Sequence, residues 1–455
     1  MHPVRSRRRS GLSRPAGIVG FHLFGSVPEP FTVWREVHTL PAGTTLTIDA
    51  SGPQSAKRYY DVAEALARRA SASHGDGDAR RLLADAVRDS VRHHLVADVP
   101  VAVFLSAGLD SGALLGTMAA LGGQTGAQSV SAVTLAFAEF KGLAVDEAPL
   151  AAEVAKRYGA RHIVRTVDRA EFERDLPAIL DAMDLPTIDG INTWFVAKAA
   201  HEAGIKVALS GLGADECFGG YPSFTDVPRS VHWLRPLSFV PGLGPLVRRG
   251  LSAAIDAGLD LHPKAAGLLQ YGGDWAGAYL LRRSVYMPWE LDELIDPALV
   301  VDGLRRLAPL SHIAAAALHG ARPLGDFDRV AALETALYMR NQLLRDADWA
   351  GMSHGVEIRV PYVDPFFLAA LPSGDVLARV NAKDAVADVP APPLPAAVRE
   401  RRKTGFVTPV GHWLREAAGT PEGGTPGEGA VDFSAASRSW ARRVWQNGWT
   451  APVVA

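Results

Sequence analysis

Two short stretches of the sequence combine small residues, hydroxyl groups and one carboxylate in a way that suits phosphate binding. The first, SAGLDSG at 106–112, follows the apolar run VAVFL and precedes a helical pattern at 113–120. The start of a helix offers unpaired backbone N–H groups and about half a positive charge, which favour a bound phosphate. Asp110 would repel phosphate unless it held a cation, most simply Mg²⁺. An ordinary strand-to-helix turn with a capping Asp is the alternative for this stretch alone.

The second stretch is SGLGADECFGGY at 210–221, which again follows apolar residues, VAL at 207–209. It is a glycine-rich turn that contains one Asp, Asp215. Two strand ends that each provide small residues and one carboxylate could together hold a nucleoside triphosphate with one or two Mg²⁺ ions. The alternative is again a turn with a helix cap.

Two later stretches carry further charged residues. In GVEIRVPYVD at 355–364, Glu357 and Arg359 alternate with apolar residues. Two charges so close together in an apolar run are expected to be buried, and either to pair or to face a ligand pocket. In RRKTGFVTP at 401–409, Lys403 lies in a loop pattern, where a single lysine is normally solvated.

These stretches together resemble the motifs of the asparagine synthetase family, over residues 80–450 of the chain. Residues 106–111 resemble the family's SGGxDS pyrophosphate loop, with Ala107 where Gly is usual. Residues 210–221 are similar to SGxGxDExxGGY, and this long match is the most specific one. Residues 343–364 resemble the LLxRxDxxxM and VExRxPFLD blocks, and residues 401–414 resemble RxKxGFxxP followed by WL.

The resemblance implies an α/β fold with a doubly wound parallel sheet of the PP-loop ATP pyrophosphatase type and a helical C-terminal part. It also implies ATP-dependent amide-bond formation, in which a carboxylate is adenylated and then attacked by ammonia or an amine. ATP and Mg²⁺ are the implied cofactors. A small-molecule or peptide carboxylate and an amine donor, which a separate glutaminase could supply, are the implied partners.

The resemblance also assigns site residues. The positions that match the family's ATP-binding residues are Leu105, Ser106, Ala107, Gly108, Asp110, Ser111, Leu135, Ser210 and Gly211. The implied metal ligands are Asp110 and Asp215, and the implied substrate pocket contains Leu212, Gly213 and Asp215. Lys403 and Glu357 are the implied catalytic residues; for Glu357, a role in organising the core beneath the site is the equal alternative, and for Arg359 that role is favoured.

Leu212 departs from the family pattern in a way that bears on the substrate. Glutamine-dependent asparagine synthetases carry Glu at the matching position, and the β-lactam-forming branch carries Tyr. An aliphatic side chain can neither take a proton nor bind an amine, which argues against aspartate and leaves the ATP chemistry intact. Two alternatives stay open: an intramolecular amide-forming cyclase of the β-lactam or lasso-peptide synthetase kind, and a non-catalytic nucleotide-binding partner of a separate glutaminase.

The composition bounds the class of protein. The 455 residues are 48% hydrophobic and 21% charged, with a formal net charge of −2, which predicts a large core and gives no basic field for nucleic acid. The single cysteine, Cys217, is expected to pack as a small hydrophobe and fits a reducing compartment. With no apolar stretch of about 18 residues and no signal peptide pattern, the sequence predicts a cytoplasmic protein without a membrane partner. A homodimer is left open.

The order of elements predicts four segments. Residues 1–15 are a basic tail, predicted to be disordered. Residues 16–50 are predicted to form short strands at Gly17–Phe24, Phe31–Val37 and Thr44–Ile48. The segment 24–30, followed by residues 40–43, resembles the closing strands of the family's glutaminase domain. Residues 51–78 resemble a linker, and residues 79–455 are the predicted synthetase domain.

The family's glutaminase uses an N-terminal Cys as its nucleophile, with its own α-amine as the base. Here Met1 is followed by His2, so the chain is expected to lack glutaminase activity. A miscalled start codon would explain the difference equally well.

Within the synthetase domain, apolar residues recur every four positions from Leu83 to Leu95, which predicts an amphipathic helix over 80–97. Strand and helix patterns then alternate as far as 209, and from about 225 the pattern becomes helical. Alternation of this kind predicts a parallel sheet, in which ligands bind beyond the carboxyl ends of the strands. Both Ser106 and Ser210 follow such ends.

Overall fold

A computed structural model describes the chain over residues 14–70, 75–125, 130–319, 324–401, 409–410, 412–413 and 433–449. These residues form two compact units. The described residues of the first unit lie within Met1–Arg68 and Gly220–Gln342, and those of the second lie within Arg69–Gly219 and Leu343–Thr450. Lys403 and the basic tail at 1–13 lie outside the described residues.

The strands and helices are numbered here in chain order. The strands are β1 Thr44–Thr45, β2 Ile48–Asp49, β3 Gly52–Pro53, β4 Lys57–Arg58, β5 Val101–Phe104, β6 Ser131–Phe137, β7 Arg161–Val167, β8 Val207–Leu209 and β9 Glu357–Arg359. The helices are α1 Pro15–Phe24, α2 Val62–Arg69, α3 Asp76–His94, α4 Leu109–Thr125, α5 Ala148–Arg157, α6 Arg169–Ala182, α7 Ile191–Glu202, α8 Ala214–Phe218, α9 Ser223–Ser238, α10 Leu243–Asp256, α11 Leu268–Tyr271, α12 Trp275–Arg283, α13 Pro297–Leu307, α14 Pro309–Ala317, α15 Asp326–Leu333, α16 Arg345–Ser353, α17 Pro365–Ala370, α18 Gly374–Arg379, α19 Ala382–Ala387, α20 Ala396–Arg399 and α21 Phe433–Val444. Segments of 3₁₀-helix occur at Ala138–Phe140, Pro263–Gly267, Pro288–Glu293 and Pro361–Val363, and π-helical segments at Glu334–Leu344 and Trp445–Trp449.

The second unit is built on a five-stranded sheet with the order β7-β6-β5-β8-β9. All four neighbouring pairs are parallel. The chain starts in the middle with β5, moves outward through β6 and β7, and then returns to the other side of β5 with β8 and β9. Right-handed connections in opposite directions place helices on both faces of such a sheet. The predicted doubly wound parallel sheet is therefore confirmed.

The direction of the chain changes between β5 and β8, which are hydrogen-bonded neighbours. In open parallel sheets this switch point leaves a crevice beyond the carboxyl ends of the two strands. The two glycine-rich stretches follow these same strands, β5 and β8. The topology therefore brings together two stretches that lie about a hundred residues apart in the sequence.

The helix predicted over 80–97 is observed as α3, with Leu83, Val87 and Val91 buried. Its period of four residues was a reliable signal because one face packs against the core and the other is solvated. The helical region predicted after residue 225 is also confirmed, and it belongs to the first unit as far as Gln342. Among the described helices, none combines the length and the apolar character that a bilayer span requires.

The prediction of a strand at Gly17–Phe24 is wrong, because these residues belong to α1. Pro15 stands in the first turn of this helix, and Gly25 ends it with a left-handed φ of 75°. Every residue from Ala16 to Leu23 is buried. A helix that is buried on all sides has no amphipathic period, so its β-branched residues were mistaken for a strand pattern.

The rest of the N-terminal region is only sparsely extended. Phe31–Val37 contains no strand, whereas the predicted strand at Thr44–Ile48 corresponds to β1 and the first residue of β2. The range 51–78, expected to be a linker, carries β3, β4, α2 and the start of α3 in its described part. β1 pairs with β4, and β2 pairs with β3, in antiparallel ladders of two residues each.

Candidate functional site

The loops that follow β5 and β8 start side by side at one edge of the sheet. Val103 is level with Leu209 in the parallel register, so the chain leaves both strands at the same height. A Cβ atom at Gly211 would lie 3.2 Å from the Cβ atom of Asp110, which is tighter than ordinary packing. A larger residue at position 211 would push the two loops apart.

The phosphate-loop candidate, residues 106–111, is held by its own hydroxyl groups. The Oγ atoms of Ser106 and Ser111 are 2.9 Å apart, and the Ser111 Oγ also accepts from the Ser106 N–H at 3.1 Å. The Gly108 N–H donates to the Ser106 Oγ at 3.1 Å. α4 begins within this stretch, at Leu109. These hydrogen bonds hold the loop together, and it leads into a helix start, a feature typical of anion sites.

Asp110 and Asp215 share one ammonium group, that of Lys383. Its Nζ atom lies 2.7 Å from Asp110 Oδ1 and 2.6 Å from Asp215 Oδ1. All three side chains are largely buried, with exposed fractions of 17% for the lysine and 20% and 19% for the two aspartates. Burial lowers the pKa of Lys383, but the two carboxylates outweigh this effect and raise the pKa above its usual value. The lysine is therefore charged, and it is the counter-ion of both carboxylates.

Lys383 was not found from the sequence. It lies in the short helix α19, between small residues, and about 270 positions separate it from Asp110. Its position is further fixed by the ring of Phe218, whose centroid is 5.9 Å from the Nζ atom. A lysine with no motif around it is indistinguishable in sequence from a solvated one, so only the fold could reveal it.

The two aspartates meet the requirement of a magnesium site that is completed by a substrate. Within the described residues, no group of three or more His, Cys, Asp or Glu side chains could enclose a metal ion. Mg²⁺ is commonly held by one or two protein carboxylates, together with phosphate oxygens and water. The donor set of Asp110 and Asp215 therefore fits a nucleotide-bound Mg²⁺ better than a permanently bound structural ion.

A third carboxylate, that of Glu147, contacts the backbone of the candidate phosphate loop. It accepts a hydrogen bond from the backbone N–H of Ala107 and pairs with the Arg401 guanidinium at 2.9 Å. Burial raises the pKa of Glu147, and the Arg401 charge partly offsets this shift. Glu147 precedes α5 and was also missed, because a helix-capping role is the usual explanation for an acidic residue in that place.

The remaining predicted nucleotide residues lie around the same two strand ends. Leu105 and Leu135 are buried, and the Leu105 N–H donates to the Val133 carbonyl at 2.8 Å. The Ser210 N–H donates to the Arg359 carbonyl at 2.8 Å, so the second loop starts from a fixed point. Leu105 directly follows β5, and Leu135 belongs to the neighbouring strand β6, so both leucines lie in the sheet layer.

The predicted substrate-pocket residues lie in the second loop. The Leu212 N–H is 3.4 Å from the Ser210 Oγ atom, to which it donates, and the Leu212 side chain is half-buried. Gly213 has a left-handed φ of 90° and begins α8, which places Asp215 in its first turn. The assignment of Leu212, Gly213 and Asp215 to a substrate pocket stays a prediction.

Cys217 is buried and contacts the backbone. Its Sγ donates to the Tyr362 carbonyl at 3.5 Å, and burial raises the pKa of its thiol to about 12. Tyr362 in turn donates its hydroxyl to the Asp110 carbonyl at 3.3 Å. The prediction that this cysteine packs as a small hydrophobe is confirmed.

Glu357 does not join the cluster of Asp110, Asp215 and Lys383. It is the first residue of β9 and is level with Val207, at the opposite end of β8 from the loop. Its carboxylate is 56% exposed and pairs with Arg359 at 2.8 Å. The expected pairing is confirmed, but the expected burial is wrong, because β9 is an edge strand with one open side.

Arg359 has the organising role that was favoured for it. Its Nη1 atom donates to the carbonyls of His94 and Val96, at 2.7 and 2.8 Å. His94 is the last residue of α3, and Val96 lies between α3 and β5. Arg359 therefore joins the edge strand to the segment that enters the central strand.

Comparisons with known proteins show which proteins the chain resembles. The sequence profile described as asparagine synthase matches residues 82–420. A Mycobacterium bovis protein described as a glutamine-hydrolysing asparagine synthetase is 32% identical over 397 residues, which cover 86% of this chain and 57% of the relative. Glutamine-hydrolysing asparagine synthetase 1 of Bacillus subtilis is 28% identical and covers 86% of this chain and 58% of its own length.

A more distant similarity involves an amidase of Penicillium rubens, which is 32% identical over 211 residues, or 43% of this chain and 30% of the relative. The chain spans a little over half the length of the bacterial relatives, at 57% and 58%. The matched residues 82–420 include both strand-end loops and Lys383.

Proposed function

Because the chain belongs to the asparagine synthase family, we propose that it forms an amide bond from a carboxylic acid and an amine, and converts ATP to AMP and pyrophosphate. The observation that carries this proposal is the pairing of Asp110 and Asp215 with one buried lysine, Lys383, beside a phosphate loop. In this arrangement, the positive charge of Lys383 offsets the negative charge of the two carboxylates until a magnesium–nucleotide complex binds.

In the proposed first step, a carboxylate oxygen of the acid attacks the α-phosphorus of ATP. The new bond joins that oxygen to the α-phosphorus, the bond to the bridging oxygen of the β-phosphate breaks, and pyrophosphate leaves. Ser106, Gly108 and Ser111 bind the pyrophosphate through hydroxyl and backbone N–H groups, which favour an anion at the start of α4. Asp110 and Asp215 would hold Mg²⁺, which neutralises charge on the phosphates when it is bound.

In the proposed second step, the nitrogen of ammonia or an amine attacks the carbonyl carbon of the acyl adenylate. The bond between this carbon and the AMP oxygen breaks, and AMP leaves with one oxygen from the original carboxylate. Lys403 is assigned the stabilisation of negative charge on the pyrophosphate and on the tetrahedral oxyanion, by its position in the family's RxKxGFxxP motif. Glu357 is left out of the catalytic set because of its place at the far end of β9.

Lys383 has a separate role in this scheme. Its ammonium group occupies the space between the two carboxylates, where a cation would otherwise be needed. A fixed positive charge at this point lowers the electrostatic cost of two buried carboxylates, and it remains available to the leaving pyrophosphate. The lysine thereby keeps the site folded and ready in the absence of nucleotide.

The acid is proposed to be one that does not depend on a polar group at position 212. Leu212 offers a half-buried aliphatic side chain in the second loop, at the position where the resemblance would lead one to expect Glu or Tyr. We propose ammonia or a small amine as the second substrate, supplied by a separate glutaminase in the cytoplasm. Formation of a cyclic product without added amine would instead assign the intramolecular reaction.

The proposal is tested by ATP–pyrophosphate exchange with a panel of carboxylic acids in the presence of Mg²⁺. Exchange with at least one acid is expected from the wild-type protein, and Asp110→Asn and Asp215→Asn are each expected to reduce it by about a hundredfold or more. Asp375→Asn is the matched control, because Asp375 is exposed on α18. Tight ATP binding without exchange for any acid would favour a non-catalytic nucleotide-binding protein.

A further inference from the structure

The hairpin of α9 and α10 in the first unit exposes an unusual number of large apolar side chains. Trp233, Phe239 and Leu246 have exposed fractions of 78%, 73% and 69%. Leu237 and Val240 are also exposed, at 45% and 48%. Clusters of this kind on a protein surface usually mark an interaction site.

These side chains occupy the free faces of well-anchored helices. On α9, Val227 and Val231 are buried in a core cluster with Ala278 of α12, whereas Trp233 and Leu237 follow each other by one turn on the opposite side. The Ser230 hydroxyl donates to the Gly272 carbonyl at 3.0 Å, which fixes the packed face. The exposure of Trp233 therefore does not result from a loose helix.

The start of α10 repeats this arrangement. Gly244 is buried, and a Cβ atom there would lie 2.7 Å from the Cα atom of Gln270. Arg248, one turn later, bonds to the Gln270 side chain at 2.8 Å, whereas Leu246 and Arg249 lie on the other side of the helix and are exposed. Phe239 and Val240 lie in the connection between the two helices. The apolar residues thus gather within about two helical turns of one tip.

Between the acidic residue Asp226 near the start of α9 and Asp256 at the end of α10, the charged side chains of the hairpin are all basic. Between Asp226 and Asp256 the sequence contains four arginines and no acidic residue, although the whole chain has a net charge of −2. Arg229, Arg235 and Arg249 are exposed among the apolar residues. A Trp and a Phe interspersed with arginines are typical of elements that lie in the interface of an anionic membrane, where rings enter the headgroup region and arginines meet lipid phosphates.

We propose that the tip formed by Trp233, Leu237, Phe239 and Leu246, with Arg229 and Arg249 beside it, binds the surface of an anionic lipid bilayer. This differs from the sequence-based expectation of no membrane partner, which considered only membrane spans and the basic tail. The tip belongs to neither of these two features, because its apolar residues are spread over two helices and a turn and form no continuous apolar stretch. The tip lies within the first unit, so the proposal is independent of the adenylation chemistry.

The test is co-sedimentation of the full chain with lipid vesicles. Binding is expected to vesicles of phosphatidylcholine with about 30% phosphatidylglycerol, weaker binding to phosphatidylcholine alone, and partial release at about 0.5 M salt. The double variant Trp233→Ser/Phe239→Ser is expected to reduce the vesicle affinity by about tenfold or more. Arg229→Gln/Arg235→Gln is expected to reduce binding to the anionic vesicles only.

Matched controls lie on α13 of the same unit. Val301→Ser removes an apolar side chain that is 68% exposed, and Arg305→Gln removes a charged side chain that is 72% exposed. Each of these two variants is expected to bind vesicles as the wild type does. Circular dichroism and thermal unfolding check that each variant is folded. The proposal is overturned if the wild type binds neither vesicle, or if Trp233→Ser/Phe239→Ser binds as well as the controls. It is also overturned if this variant abolishes self-association of the chain and leaves vesicle binding unchanged.

Discussion

The carboxylate of Glu147 pairs with the guanidinium of Arg401 at 2.9 Å, and it also accepts the N–H of Ala107 in the phosphate loop. Arg401 stands two residues before Lys403 in the sequence. The Glu147 carboxylate therefore contacts both the candidate phosphate loop, at Ala107, and Arg401.

We expect Glu147→Gln to weaken nucleotide binding by about tenfold to a hundredfold, since hydrogen bonds that involve a charged group contribute about 1.5–3 kcal/mol. The effect should appear mainly in the KM for ATP, because Glu147 positions the loop and does not contact the reacting atoms. Equilibrium titration with a fluorescent ATP analogue and exchange kinetics measure it. The control is Glu153→Gln, an exposed position on α5. An unchanged nucleotide affinity in a folded Glu147→Gln protein would show that the loop does not need this support.

Lys383→Met should destabilise the nucleotide-free protein, because it leaves two largely buried carboxylates without their counter-ion. Removal of one partner from a buried ion pair typically costs about 3–5 kcal/mol of the free energy of unfolding. Urea unfolding measures this loss, and Lys156→Met on the exposed side of α5 is the control.

A second prediction for Lys383→Met concerns the binding of Mg²⁺ by the two aspartates. Without the lysine, Asp110 and Asp215 should bind a divalent cation more tightly, so Mg²⁺ alone should raise the melting temperature of Lys383→Met more than that of the wild type. An equal effect of Mg²⁺ on both proteins would refute the assignment of Lys383 as the stand-in cation.

Asp346 should make the protein less stable as the pH rises. It accepts hydrogen bonds from Thr187 and from the Trp349 indole, at 3.0 and 2.8 Å, but burial and the nearby Asp189 raise its pKa well above 3.8. The stability that protonated Asp346 contributes is fully present below pH 3.8, the pKa in the unfolded chain, and is lost as the pH rises through the folded pKa. As the pH rises from 3.8 through the folded pKa of Asp346, the Asp346→Asn protein should therefore lose less stability than the wild type. Parallel pH dependences in chemical unfolding experiments would contradict the raised pKa.

The buried His22 side chain should make the protein less stable as the pH falls. Burial within α1 lowers its pKa from 6.5 to about 4, so the unfolded chain takes up a proton first. Stability is present above pH 6.5 and falls as the pH decreases towards 4. Replacement by Phe should reduce the slope of unfolding free energy against pH by up to about 1.4 kcal/mol per pH unit. An unchanged slope in a folded His22→Phe protein would contradict the lowered pKa.

The sequence was sufficient to predict the parallel sheet and the positions of the two strand-end loops, because Ser106 and Ser210 each follow a short apolar strand and stand in recognisable motifs. It was insufficient where burial removes the periodic signal, as in α1, whose apolar residues are covered on all sides. It also could not identify Lys383 or Glu147, since neither stands in a motif and both act through contacts with residues far away in the chain. The exposure of Glu357 was not predicted, because an alternating pattern does not show that its strand lies at the edge of the sheet.

The central claim is that a carboxylate oxygen attacks the α-phosphorus of ATP at the site of Asp110, Asp215 and Lys383. It is tested most directly with the acid identified by exchange, labelled with ¹⁸O in its carboxylate, in a complete reaction with ATP and amine. Mass spectrometry of the nucleotide product is predicted to find one labelled oxygen in AMP and none in pyrophosphate. Unlabelled AMP, or ADP accompanied by labelled inorganic phosphate, would contradict the claim.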